Sequence, residues 1–256
     1  MPKVLVIGGG IVGLLTAAAL KDGGADVEVF ASQTGPRASD GSLVWLNVSS
    51  THDPTYAALR AASMRFWHKS DAPVPWQGAL LWPENEPATD LLTSQNCDWE
   101  AVDQTRFSEL APGVAAPPDG AIFCPGEGAC DPADMLNWAE ARLDVPRNQA
   151  HVVGVEPGCV TLDTGDVVHP DKIIVAAGCA TPGLVAPLGA HIALKSAPGL
   201  FLRTQPVAPM ATPVLASPDM DFWQGADGRM VIATGTNDVL RQDPQAAADQ
   251  ALSKVR

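Results

Sequence analysis

Basic residues are scarce in this chain. Lys and Arg number 16 against 29 Asp and Glu, a formal charge of −13. Nucleic acid and anionic membranes are held by basic patches, so the shortage disfavours both as partners. Long apolar runs are missing too. A membrane span needs ~20 consecutive apolar residues, and "GIVGLLTAAAL" stops well short of that. No secretory leader is visible, because Lys3 leads at once into "VLVIGGG", whose glycines break the apolar stretch. The expectation is a soluble, cytoplasmic protein.

Metal-type cysteine patterns are absent as well. The five cysteines, Cys97, Cys124, Cys130, Cys159 and Cys179, are odd in number, form no CxxC and join no Cys/His cluster of ligand spacing. They read as buried or incidental thiols, the five histidines are scattered, and no metal is expected. What is present is enough apolar material for a real core: 46% of 256 residues, in one large domain or two intimate ones. Charged residues are only 18% and form no block, which argues against disorder.

The N-terminus reads as a βαβ unit. "KVLVIGG" is a continuous apolar run suited to a parallel strand buried on both faces. "IVGLLTAAALK" reads as a helix whose alanines allow close packing, "DGG" ends it, and "DVEVFAS" is the next strand. Between first strand and helix lies Gly8-x-Gly10-x-x-Gly13. Gly8 permits a tight turn, Gly10 lets backbone approach a pyrophosphate, and Gly13 lets helix and strand pack closely. Ile11 and Val12 open the helix, whose free N–H groups and positive dipole end suit phosphate. The pattern in this context points to a dinucleotide.

The second strand departs from the usual pattern. Where an acid normally holds the ribose stands Ala31, followed by Ser32 and Gln33 as neutral substitutes. Losing the charge costs roughly 1–2 kcal/mol, weakening a many-contact cofactor without abolishing it. Glu28 is no rescue, since strand side chains alternate. The missing acid also leaves room for a 2′-phosphate near Arg37, an NADP reading that competes with Arg37 as a solvated loop residue.

Downstream, Asp53-Pro54 opens a helix over 54–69, and 77–82 reads as a strand. Residues 83–120 read as irregular or as short helices, and 130–143 as a helix with an Asp-Pro start. "HVVGVE", "CVTLDT" and "DVVHP" suggest a small meander, and "KIIVAAG" a second apolar strand. "GLFLRTQP" and "GRMVIATG" read as strands of a separate sheet, and 243–256 as a last helix.

Together, "VLVIGGGIVG", "ASDGSLVWLN", "YAALRAASMRFW", "CDPADML", "KIIVAAGCATPGL" and "DGRMVIATGTND" resemble the D-amino-acid-oxidase-like family of FAD-dependent oxidoreductases, which includes glycine oxidase, sarcosine oxidase and D-amino-acid dehydrogenases. The resemblance implies an α/β fold. A Rossmann-like FAD-binding domain with a parallel sheet, residues 1–75 and 130–190, would join a substrate domain with a mixed or antiparallel sheet, residues 76–129 and 191–256. It implies FAD held at Gly8, Gly10 and Gly13, a loop from Ser39 to Leu43 under the flavin with Ser39 and Ser42 as polar contacts, Val152 at the adenine, and Ala177 and Gly178 against the cofactor. Trp45, Asn47 and Trp223 would line the substrate cavity, although sheet packing is the plainer role for Trp223.

The activity implied is oxidation of the C–N bond of a small amine or amino acid by hydride transfer to flavin N5. The cofactor carries the chemistry, and no catalytic side chain is identified. The alternative is a non-catalytic or partner-dependent FAD-binding protein. Two departures weigh toward it besides Ala31. Val44 stands where such loops commonly have glycine. Family members also continue past the position of Arg256 into a segment that supplies the substrate-carboxylate arginine, so the resemblance implies a split enzyme needing a second subunit, a truncated product or a reduced relative.

Overall fold

The computed structural model describes residues 1–32, 37–82, 89–144, 147–194, 199–234 and 243–253. Gln33, residues 235–238 of the "DGRMVIATGTND" segment and the last three residues of the final helix lie outside them. The elements run β1 (Lys3–Ile7), α1 (Ile11–Asp22), β2 (Asp26–Ala31), β3 (Trp45–Leu46), α2 (Pro54–Lys69), β4 (Ala79–Leu81), α3 (Thr89–Ser94), β5 (Glu100–Val102), α4 (Gln104–Leu110), β6 (Ala121–Cys124), β7 (Gly128–Ala129) and α5 (Pro132–Leu143). They continue with β8 (Arg147–Gln149), β9 (Val152–Glu156), β10 (Cys159–Leu162), β11 (Val167–Val168), β12 (Lys172–Val175), α6 (Thr181–Val185), β13 (Leu200–Arg203), β14 (Val214–Ala216), β15 (Asp221–Gln224), β16 (Met230–Thr234) and α7 (Pro244–Ser253).

The chain forms two compact units, Met1–Gly41 with Pro132–Ser196, and Ser42–Asp131 with Ala197–Arg256. In the first, a parallel sheet has the order β12-β1-β2-β8. Its central strand is apolar on both sides because both are covered. On one, Val6 and Val29 pack with Leu14 and Ala17 of α1 and with Leu136 and Ala139 of α5. On the other, Leu5, Ile7 and Phe30 pack with Val152, Val155 and Val160 of the β9–β10–β11 meander.

The second unit holds a sheet of order β13-β16-β15-β14-β4-β6-β5, antiparallel except for β4 beside β14. Period-two alternation gives it two apolar faces. Ala79, Leu81, Val214, Trp223 and Val231 belong to one cluster, and Leu80, Leu215, Phe222, Met230 and Ile232 to the other. Helix α2 begins as its sequence dictates, with Pro54 in the first turn and Asp53 Oδ1 accepting from Tyr56 N at 2.7 Å.

Residues 42–75, assigned above to the first domain, lie in the second unit. The reason is in α2, whose Ala57, Ala61 and Met64 are buried in that unit's core beside Leu81 and Ala216. Residues 83–120 contain α3 and α4 but also β5, an edge strand whose Glu100 and Ala101 are exposed and so carry no apolar pattern. Three further short strands, β3 and β7 paired with each other and β8 paired with β2, escape the sequence reading for lack of length. Among the described residues, all five cysteines are free, no His/Cys/Asp/Glu group can hold a metal, and no helix is long and apolar enough to cross a membrane.

Candidate functional site

A cavity of about 670 Å³ lies in the first unit. One wall is the glycine turn and helix start, with Gly8, Gly10, Ile11 and Val12. Another is the chain after β12, with Ala177 and Gly178, and a third carries Val152 and His151 from the meander. Ser32 and Ser39 complete the predicted residues that meet there.

The glycines are required by space. Gly8 has φ 129°, and a Cβ on it would sit 2.2 Å from the Ala176 carbonyl oxygen. A Cβ on Gly13 would sit 2.0 Å from the Gly8 carbonyl oxygen. Neither is accessible to another residue without moving backbone. At Gly10 the nearest atom to such a Cβ is Ser39 Oγ at 3.3 Å. Gly13 thus sets packing and does not line the cavity, as expected of the third glycine.

The end of α1 is electropositive by construction. Leu14 N is the first amide to bond back, to Gly10 O at 3.0 Å, so the preceding amides stand outside the helical ladder. No acidic side chain occupies the first turn. Ser39 Oγ accepts from Ile11 N at 3.1 Å, which fixes the hydroxyl at the helix end.

Arg37 is not a solvated loop residue. Its Nη1 donates to Gly9 O at 2.9 Å and to Glu140 Oε1 at 3.2 Å, and its Nη2 donates to Asp40 Oδ1 at 2.8 Å. The hydrogen bond from Arg37 holds the Asp40 carboxyl below its usual range. With both neighbouring acids engaged, the guanidinium braces the glycine turn and has no charge to spare for a 2′-phosphate. Ala31 is 7% exposed and packed inside, so Ser32 and His151 are the polar side chains near the end of β2 that face the cavity.

Ser42 and Leu43 do not line this cavity and belong to the second unit. Ser42 Oγ accepts from Val44 N, and Leu43 O accepts from Trp223 Nε1 at 2.9 Å. Val44, the next residue, has φ 46°, the left-handed conformation that favours glycine. The backbone therefore keeps a glycine-like path although the residue is valine.

Of the three substrate-cavity candidates, only Trp45 meets a second cavity, of about 320 Å³ in the second unit. Trp223 is 5% exposed within the core cluster, the packing role. Asn47 has its amide engaged at both ends, with Nδ2 donating to Trp45 O and Oδ1 accepting from Ser50 and Arg60.

Sequence reasoning missed Glu127, which is 3% exposed. Its Oε1 accepts from Val48 N and Ser49 N, each at 2.8 Å, and its Oε2 from Ser49 Oγ at 2.9 Å and Trp45 Nε1 at 3.2 Å. Burial pushes its pKa up to about 7 against the pull of these donors. A lone acid between two glycines offers no pattern that would reveal this. Asp221, also missed, lines the second cavity, and burial raises it to about 6.

A family model described as DAO, FAD dependent oxidoreductase, matches residues 3–256. No curated protein matches the chain. Among solved structures it is similar to a glycine oxidase from Geobacillus kaustophilus, with TM-score 0.73 and 16% identity over 93% of this chain and 73% of that one. It is similar to an L-amino acid deaminase from Proteus myxofaciens in complex with anthranilate, with TM-score 0.73 and 19% identity over 91% and 58%. An L-proline dehydrogenase from P. horikoshii gives TM-score 0.72 and 17% identity over 93% and 71%. At these identities the likeness carries the fold alone, and the chain spans 58% to 73% of these proteins' lengths.

Proposed function

The chain belongs to the FAD-dependent oxidoreductase family, and from that premise we propose that it oxidises the C–N bond of a small amine or amino acid. The observation that carries the cofactor's place is the first unit's cavity, where a side-chain-free glycine turn and a helix N-terminus meet the wall after β12. Gly8, Gly10, Ile11 and Val12 would hold the pyrophosphate, with the Ser39 hydroxyl beside them. Val152 would meet the adenine, and Ala177 and Gly178 the remaining length. Ser32 would serve the ribose in place of the missing acid.

FAD held there would supply the two-electron acceptor for oxidising the carbon next to nitrogen to an imine, which water then hydrolyses. The chain's own part is to bind, orient and exclude water. Arg37 holds the glycine turn in shape, and the Ser42–Asn47 loop is held by Trp223 and Glu127.

An absorbance spectrum of the purified protein tests the reading. A flavin band that bleaches without oxygen on adding an amine or amino acid supports it. A protein that stays colourless with added FAD sinks it. A band that no amine or amino acid bleaches supports instead a flavin-binding protein without turnover.

A further inference from the structure

The second unit's cavity contains a carboxylate with no ionic partner among the described residues. Asp221 opens β15, and the register places it in a row across four strands. Ala233 on β16 faces Asp221, Asp221 faces Ala216 on β14, and Ala216 faces Leu81 on β4. Residues in direct register share a face, so the carboxylate rises between two methyl groups. All four line the cavity, and the small alanines leave the space that makes it.

The cavity is negative. No Lys or Arg lines it among the described residues, and its other ionisable side chains are His52 and Asp219. Asp221 has no side-chain hydrogen bond or ion pair among the described residues, and burial alone shifts its carboxyl upward. Glu127 shows the contrast, with four donors on its two oxygens. A carboxylate drawn partly out of water without a donor is unfavourable, and a cation brought to it removes that penalty. Trp45 adds a large aromatic surface of the kind that attracts cations.

We propose that this cavity binds an alkylammonium group, with Asp221 as its counter-ion and the Trp45 indole as its aromatic wall. The Asp221 carboxylate disfavours an anionic group there.

The test is isothermal titration of the full FAD-loaded chain at pH 8 with n-butylamine, 1,4-diaminobutane and butyrate. Both amines are expected to bind and butyrate not to bind. Asp221→Asn is expected to weaken the amines at least tenfold with unchanged melting and flavin absorbance. The wild type gives a check that needs no variant: amine affinity falls as pH drops from 8 to 5, while the amines themselves stay protonated. Butyrate binding as tightly as the amines, no amine binding to the wild type, or full amine affinity in Asp221→Asn overturns the proposal.

Discussion

The indole N–H of Trp45 donates to the Glu127 carboxylate at 3.2 Å, so an aromatic wall of the second cavity is held in place by a buried acid. The same acid also takes the amides of Val48 and Ser49. Replacing it therefore reaches both the loop and the cavity.

Glu127→Ala strands two backbone amides and an indole N–H in the interior. The expected cost is ~3 kcal/mol, from a penalty of roughly 1–3 kcal/mol per unmet buried group partly relieved by entering water. Urea unfolding at pH 8 measures it, and a loss under about 1 kcal/mol would show that the loop has another anchor.

Glu127 also gives stability a pH slope. Its folded value of about 7 lies above the ordinary 4.5, so the folded protein holds an extra proton between the two. The stabilisation is fully present below about 4.5 and is lost as pH rises through about 7. Glu127→Gln, which does not titrate, flattens this slope. Melting temperatures of both proteins from pH 5 to 8 check it, and parallel curves would disprove the assignment.

Two valines close in sequence respond oppositely to glycine. At Val44, φ 46° already strains a branched residue, so Val44→Gly trades lost side-chain contact for relief. The net change is expected within about 1 kcal/mol of zero. Val48 is 3% exposed in the core cluster and has no such strain to release. Val48→Gly is expected to cost ~3 kcal/mol, and chemical denaturation of the pair gives the comparison.

The glycine turn grades its own substitutions. Gly13→Ala meets a backbone oxygen at 2.0 Å and is expected to prevent both stable folding and flavin retention. Gly10→Ala meets only a serine hydroxyl at 3.3 Å, and is expected to melt near wild type while binding FAD more weakly. Arg37→Met frees the Gly9 carbonyl and is expected to weaken FAD about tenfold, ~1.4 kcal/mol, without admitting NADP. Flavin fluorescence titrations report all three, and NADP binding by Arg37→Met would contradict the bracing role.

The parts of this molecule that were legible in sequence are those whose local chemistry and global role agree. Val4 to Ile7 are all apolar because their strand is covered on both faces, and Asp53-Pro54 starts a helix because its side chain and ring suit that position. The boundary at Gly41 was hidden because α2 is an ordinary amphipathic helix, and nothing within it says whose core it joins. Glu127 and Asp221 were hidden for a related reason. A lone acid in sequence reads as a surface residue, and only strand register and a distant loop make one a four-donor anchor and the other an unbalanced charge. Arg37 was misread because Glu140, which helps hold it, lies on a helix far along the chain.

The pairing of β1 with β12 sets a timetable for the ribosome. Val4 faces Lys172, so all the residues between them must be translated before β1 meets its second neighbour. At typical elongation rates that is roughly 8 to 35 seconds. Throughout it the nucleotide-turn strand has β2 on one side and an open apolar edge on the other. Any stall before residue 172 leaves that strand's apolar edge uncovered. Yield in a cell is therefore governed by how well that edge is shielded during synthesis, as much as by the stability of the finished fold.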